Sequence, residues 1–510
     1  MQDDDSPGVD RRRFLQGAGV LGVTAAGALG TTPTAAAHGS YQWLSGDHHV
    51  HTQYSYDGMY TVEQQIAGGL RHGVDWLVIS DHGHASHERL SVEQIQADVV
   101  AARRRHPNLV LWHGMEWNVP GAEHGTLFFE DCRDEAAVFR DFERQFDWRL
   151  NGQEPSSPVN EAKAVEAIGW LRTKIRNGTV KSALVVVNHP SRNGRVAPHE
   201  LRALRDAAPE IVIGMEGAPG AQGDGIPVPA GHGAHRGGYA NSAGANSWPG
   251  LPPEGYRTFG GFDWMTARLG GVWDSLLSEG KGWWITSNSD SHFNFRDTIV
   301  RVPEPGDEFD RTGKHLTALD TGPPQVAAPY VDFFPGEFSR TVVGATRRSQ
   351  RAVMEGLRAG RAWVCHGGLI DDLRFQVWSH SGRAGLGETL VVRRGADVTV
   401  QITVRLATRP NSAGFVSKLA RLDLIRGAVT GPVSPDSASN PDVAVTRSFE
   451  PRRHGVFTHT FRNVRTPFYV RLRGTDGKRG GVEPQADVVG QADPWQDLWA
   501  YTNPIFVDVR

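Results

Sequence analysis

The sequence predicts an α/β protein, a mostly parallel sheet, closed or open, that carries helices and is followed by a smaller β-sandwich. Three observations predict it. Short apolar runs alternate with helical stretches from about residue 41 to 301. Those runs finish in clusters of His, Asp and Glu. Beyond Asp372 the pattern becomes alternating and β-branched, with no helix of length. Strand–helix alternation implies parallel pairing, and in both closed and open forms ligands gather at the carboxyl ends of the strands.

Residues 1–37 stand apart. Asp10-Arg11-Arg12-Arg13-Phe14-Leu15-Gln16 resembles the twin-arginine export motif, with Asp and Gln where Ser/Thr and Lys are usual. A weakly apolar Gly/Ala stretch and an Ala35-Ala36-Ala37 cleavage signal follow. The stretch is too short and glycine-rich for a stable membrane span. The expectation is a secreted or extracytoplasmic protein, exported folded by the twin-arginine machinery, with no membrane span in its mature form.

Strands are expected near 43–49, 75–80, 109–113, 125–129, 183–188, 211–215 and 282–287. Leu77-Val78-Ile79 and Leu184-Val185-Val186-Val187 are continuous apolar runs, as strands covered on both faces require. Between them helices are expected near 61–72, 91–106, 134–148, 160–176, 198–207 and 263–279. Thr61-Val62-Glu63-Gln64 and Ser91-Val92-Glu93-Gln94 read as capped starts, each with Gln three residues on. The glycine- and proline-rich stretch 217–260 lacks periodicity and follows Glu216 directly, so it reads as a lid or as a disordered loop. A helix is expected at 350–360. Strands near 373–378, 398–406, 422–426, 456–461, 468–472 and 505–509 then describe the antiparallel β-sandwich, set at 372–510.

With 510 residues and a formal charge of −3 the chain can bury several cores and shows no nucleic-acid footprint. Removing residues 1–37 takes away four Asp and three Arg and leaves −2. Cys132 and Cys365 read as two separate thiols or as one bridge formed after export.

The chemistry lies in the strand-end clusters. His49 and His51, one residue apart, converge on one ion only where a strand finishes and twists. Asp57 follows in Tyr54-Ser55-Tyr56-Asp57-Gly58, then Asp81-His82, Glu116, His124, His189 and Asp290-x-His292. Imidazoles and carboxylates that meet without thiolate suit Zn, Mn or Fe. Asp57 also reads as a cap of the helix near Thr61, and His189 as a structural histidine. Asp47, His48 and Asp81 read as groups that orient a ligand or as turn residues. His84 and His87 read as lining the mouth or as exposed helix-start histidines, and Glu216 as a general acid or a turn residue. Arg192 and Arg296 read as guanidiniums for an anionic substrate or as surface ion pairs. Trp112, Trp117 and Trp264 read as packing.

His49-Val50-His51-Thr52, Tyr-Ser-x-Asp-Gly, Ser-Asp-His, Gly-x-Glu, His-Pro and Asp-x-His, in this order, resemble the PHP (polymerase and histidinol phosphatase) family over roughly residues 41–298. The resemblance implies a distorted seven-stranded β/α barrel, here a hydrolase domain at 41–371, that holds two or three divalent ions. It implies one ion on His49, His51, Glu116 and Asp290, a second on Asp57, His82 and His292, and a third on Glu116, His124 and His189. Glu116 bridges, and a hydroxide shared by the ions is the nucleophile. Glu116, Asp290, Arg192 and Arg296 are then the expected catalytic residues, and a small, anionic phosphate ester the expected substrate. The 357–364 stretch, the sandwich and Thr502-Asn503-Pro504-Ile505 are similar to the CehA/McbA branch. That branch implies a carbamate, carboxylic ester or amide substrate at the same centre. An inactive metal-binding recognition protein is the third reading.

Overall fold

The computed structural model describes residues 41–239, 242–324, 332–451, 454–480 and 482–510. The export segment expected at 1–37 lies outside them. Seven strands follow the expected positions: β1 (Gln42–Asp47), β2 (Trp76–Ile79), β3 (Val110–Asn118), β4 (His124–Phe129), β5 (Ala183–Val187), β6 (Val212–Ala218) and β7 (Trp284–Ser287). β1, β2 and β3 pair in parallel, as do β5, β6 and β7. β4 runs antiparallel to both neighbours. The link from β3 to β4 is a short hairpin, and a parallel crossover needs a dozen residues or more. Backbone bonds carry the far end back to the start: Asp290 N–H donates to His49 O (3.0 Å) and His51 N–H to Ser291 O (3.1 Å).

Helices α1 (Val62–Arg71), α2 (Val92–Arg105), α3 (Glu135–Phe146), α4 (Trp148–Asn151), α5 (Pro158–Arg176) and α6 (Pro198–Ala207) lie in the connections between these strands. Thr61 and Gln64 form the expected reciprocal cap of α1. Ser91 does not cap α2: a wide helical turn at His87–Ser91 runs into that helix, and the Ser91 hydroxyl donates to Ser86 O instead. The helix expected over 263–279 is two, α7 (Trp264–Ala267) and α8 (Val272–Leu277). Gly270, at φ +71°, breaks it.

Beyond β7, β8 (Ile299–Val300) pairs with β9 (Leu319–Asp320), and the short α9 (Glu308–Thr312) lies between them in the chain. β10 (Ser339–Ala345), α10 (Gln350–Arg358) and β11 (Ala362–His366) follow. The sequence pattern does not predict β10, yet it is pivotal. It pairs antiparallel with β1 on one side and β11 on the other.

The C-terminal strands are β12 (Ile370–Ser379), β13 (Gly382–Gly385), β14 (Thr389–Val392), β15 (Ala396–Leu406), β16 (Arg421–Ala428), β17 (Val443–Phe449), β18 (Gly455–Val464), β19 (Phe468–Thr475), β20 (Trp499–Thr502) and β21 (Ile505–Val509). They divide between two sheets. β14, β16, β17, β19, β20 and β21 extend the main sheet through β11, making it fifteen-stranded and mixed. β13, β12, β15 and β18 form a separate antiparallel sheet. One apolar cluster, with Leu373, Val400 and Ile402 from the small sheet and Leu424, Val470 and Ile505 from the large one, lies between them. The strands on either side of residue 372 lie within one compact unit.

Cys132 and Cys365 are free thiols. Among the described residues no helix is long and apolar enough to cross a membrane.

Candidate metal centre

The ends of β1, β2, β3, β5 and β7, and the start of the reversed β4, bring nine side chains together. His49 Nε2 lies 3.0 Å from His51 Nε2, 3.1 Å from Glu116 Oε1 and 3.2 Å from Asp290 Oδ1. His51 Nε2 is 3.1 Å from Asp290 Oδ1 and 3.4 Å from Glu116 Oε2. His82 bridges Glu116 Oε2 (3.0 Å) and Asp57 Oδ2 (3.3 Å), and His292 Nε2 approaches Asp57 Oδ1 at 3.6 Å. Glu116 Oε1 also meets His124 Nδ1 (3.0 Å) and His189 Nε2 (3.2 Å). Four sets of ligand atoms, each within 4.8 Å, result: His49, His51, Asp290; His51, Asp57, His82, His292; His82, Glu116, His124; and Glu123, His124, His189. Every residue expected as a ligand is among them.

The donor set fits divalent ions. Glu216 Oε1 sits 2.7 Å from His49 Nδ1, and a buried carboxylate accepts there, so the His49 ring is held with Nε2 inward, the atom that would ligate an ion. Ser55 Oγ, 2.8 Å from His51 Nδ1, holds that ring with its Nε2 inward as well. Two imidazole Nε2 atoms 3.0 Å apart, beside two carboxylate oxygens, form a donor set that suits a cation. His124 Nδ1, His189 Nδ1, Asp57 Oδ1 and Asp290 Oδ1 are buried and make no well-formed hydrogen bond. His189 and Asp290 hold left-handed backbone, at φ +27° and +51°, which costs energy and recurs at functional sites.

The electrostatics agree. Burial opposes charge on His82, but Glu116 and Asp57 outweigh it and push its pKa up to about 9. Burial likewise loses to Asp57 and Asp290 at His292, raised to about 10. At His124 burial wins over Glu116, and the pKa falls to about 4. Against burial, His49 and His124 hold the Glu116 carboxyl well below the usual range, and His49 and His292 do so for Asp290. A field that draws protons into the cluster also draws metal cations, which release those protons on binding.

The neighbours fall into place by contact. Thr61 caps α1 itself, which leaves Asp57 for the imidazoles. Asp81 does not orient a ring: it accepts from Thr52 N–H (2.5 Å) and Thr52 Oγ1 (2.8 Å), tying the end of β2 to that of β1. Asp47 accepts from His49 N–H (3.0 Å) and Ser289 N–H (2.8 Å), joining the ends of β1 and β7. Burial pushes its carboxyl up to about 7. His48 faces Thr286 and Thr126 inside the sheet. His87 is buried against Glu143 at 2.8 Å, away from the mouth, whereas half-buried His84 tilts against Tyr56. Trp112 and Trp117 are core, and Trp264 packs with them.

Glu216 is neither an acid at the mouth nor a plain turn residue. Besides His49 it accepts from His189 N–H at 2.8 Å. Ser55 lay in the Tyr-Ser-x-Asp-Gly motif without an assigned role, and two supports had no signal in the sequence: Glu123, whose Oε1 lies 3.8 Å from His189 Nδ1, and Asp332, 3.5 Å from His292 Nδ1.

Segment 217–260 is ordered where described and packs on the centre. Ala221 N–H donates to Ser289 O, and a Cβ on Gly220 would lie 2.2 Å from that of Asp290. The Tyr239 hydroxyl donates to Asp263, which also accepts from Ser191 N–H and Oγ (2.9 and 2.8 Å). Trp248 N–H and Ser247 Oγ hold Gly194 O and Asn193 O. The segment therefore braces the turn that carries Arg192. Burial opposes charge on Arg192, but Glu123, Asp290 and Glu116 hold it positive. Arg296 is exposed, its guanidinium over the Phe295 ring at 5.1 Å, and is not among the gathered residues.

No protein-family model matches the sequence, and no curated protein matches it. Among solved structures the chain is similar to a two-domain protein containing a predicted PHP-like metal-dependent phosphoesterase from Bacteroides vulgatus. The identity is 14%, the overlap 90% of this chain and 98% of that one, and the TM-score 0.36. It is also similar to Endonuclease Q in complex with a duplex bearing an abasic lesion, at 14% identity over 36% of this chain and 46% of that one, TM-score 0.23. Likenesses this loose carry no argument about the site, which stands on its own geometry.

Proposed function

We propose that the chain is a metal-dependent hydrolase of anionic esters, a phosphoesterase that holds two or three divalent ions on His49, His51, Asp57, His82, Glu116, His124, His189, Asp290 and His292. The convergence of the His49 and His51 Nε2 atoms with Glu116 and Asp290 oxygens, their Nδ1 atoms held outward, carries the reading. Ions bound there supply Lewis acidity toward the ester oxygens and activate a water nucleophile. The chain's own residues do the rest. Glu116 spans the imidazoles of four strands; Glu216 and Ser55 fix two rings; Arg192 offers a guanidinium to the substrate's anionic oxygens. The resemblance in motif order supports a PHP-type assignment, with β1–β7 as a distorted barrel and the C-terminal strands as a sandwich against it. The twin-arginine segment supports export of the folded chain.

The test is elemental analysis of the purified protein with turnover of p-nitrophenyl phosphate, bis(p-nitrophenyl) phosphate and an aryl carbamate. Bound Zn, Mn or Fe with phosphate-ester hydrolysis is expected. Carbamate hydrolysis alone replaces the phosphoesterase reading, and stoichiometric metal without turnover of any ester favours a recognition protein.

A further inference from the structure

Three arginines lie near the centre, and they are not equivalent. Arg195 is neutralised: its Nη1 lies 3.6 Å from Glu123 and its Nη2 2.9 Å from Glu154. Arg149 is not. Its Nε donates to Asn118 Oδ1 (3.1 Å) and its Nη2 to the Tyr56 hydroxyl (2.7 Å), both neutral groups. Among the described residues neither Arg149 nor Arg192 forms an ion pair with a carboxylate.

Their positions bracket one row of rings. His82 and His124 stand 5.1 Å apart, and His124 and His189 5.2 Å apart, edge to face. At the His82 end, the Tyr56 ring stacks on His82 (4.9 Å, 18°) and the Arg149 guanidinium lies over Tyr56 at 4.7 Å. At the His189 end, Arg192 sits three residues on, in the turn pinned by Asp263 and by segment 217–260. Arg149 is also held against Trp148 at 5.2 Å, so its planar fork is set before any ligand arrives. Both cations act on the Tyr56 phenol against the effects of burial and Asp57. Arg149, held by neutral groups, and Arg192, in the field of Glu123, Asp290 and Glu116 but ion-paired with none of them, stand one toward each end of a metal-facing row and are donors for an anion of more than one charge.

We propose that Arg149 and Arg192 form a two-arginine clamp for the terminal dianion of a phosphomonoester, so that the centre selects monoesters over diesters. A monoester leaves its phosphate oxygens open to both guanidiniums; a diester blocks one approach with its second alkyl or aryl group.

This rests on the phosphoesterase reading, and the experiment separates the two. Wild type, Arg149→Ala, Arg149→Lys and Arg192→Ala are compared, each with its metal content measured. The monoester probe is p-nitrophenyl phosphate and the diester probe its bis ester. Wild type is expected to favour the monoester. Each alanine variant is expected to raise the monoester KM by about tenfold, with a clearly smaller rise for the diester. Lysine at position 149 restores only part of the loss, because it keeps charge but not the fork. Equal loss on both esters, or no loss in Arg149→Ala, overturns the clamp. Should wild type hydrolyse neither ester, the functional reading falls, and calorimetric titration of metal-loaded protein with inorganic phosphate decides the clamp alone. Binding weakened in both alanine variants supports it, and unchanged binding overturns it.

Discussion

Two regions of this molecule bury charge heavily and to opposite ends. Between α8 and β19, Arg471 is sealed from water, and Asp274 answers it from two sides, Nε to Oδ1 at 3.0 Å and Nη2 to Oδ2 at 2.8 Å. The Tyr469 hydroxyl donates to the same carboxylate at 2.7 Å, and Arg473 finds Glu483 and Asp423 close by. At the strand ends, by contrast, nitrogen and oxygen atoms crowd one another without completing bonds. The first region pairs each of its charges with an opposite one, though Arg471 Nη1 and Arg473 Nε stay unbonded, and is a joint between the β1–β7 strands and the C-terminal strands. The second is satisfied only by something added. Buried charge is therefore no mark of function; imidazole nitrogens and carboxylate oxygens that converge on one point are.

Substitutions break this contrast in graded ways. The largest effect is expected from Glu116→Ala, which removes the carboxylate shared by five imidazoles: loss of bound metal by elemental analysis and a fall in turnover of at least roughly 10²–10³-fold. Circular dichroism should remain native, and a Glu116→Ala variant with full metal and full activity would sink the assignment. Asp274→Ala strands Arg471 in the dry joint and should cost about 3–5 kcal/mol in denaturant unfolding, while the metal content of the folded fraction holds. A smaller change is expected from Glu216→Ala, which frees His49 and the His189 backbone without touching a metal-facing atom: metal affinity falls about 10–100-fold in a chelator competition. The smallest is a pH effect in the ion cluster of Arg236, Asp487, Asp497 and Arg479 that anchors segment 217–260. Burial, aided by Asp487 and opposed by Arg236, raises Asp497 to about 6. A raised carboxyl favours the folded state below its ordinary value of 3.8, and that share is lost as pH climbs through about 6. Asp497→Asn should flatten the stability profile between about pH 4 and 6, read from melting temperature.

The metal-facing residues were legible because residue type and place told the same story: a charged or imidazole side chain at the end of an apolar run has no bland reason to recur. Their supports were not. Ser55 stood inside the Tyr-Ser-x-Asp-Gly motif without a role, while Glu123 and Asp332 matter only through partners met across the fold, and nothing local sets those two apart from other turn residues. Arg149 was silent likewise, on the short helix α4, its meaning supplied by Tyr56 and Asn118. Of the fold, the seven strands could be read from their apolar runs. The direction of β4 could not be read from its own residues, since hairpin and crossover differ in the connection. Nor could β10, whose Thr341-Val342-Val343 core is short and ends at Gly344. Hidden with β10 was the continuity of the sheet into the C-terminal strands.

The reversed strand β4 also bears on how the centre comes into being. Glu116 and His124 are eight residues apart on one hairpin, where Asn118 faces His124 across the pair. His49 and Asp290 are 241 residues apart and meet only when the ends of β1 and β7 join. Loop closure makes the first contact cheap and quick and the second late. Half of the cluster is thus within reach of a chain still emerging, while the His49–Asp290 half waits for nearly three hundred residues to be in place.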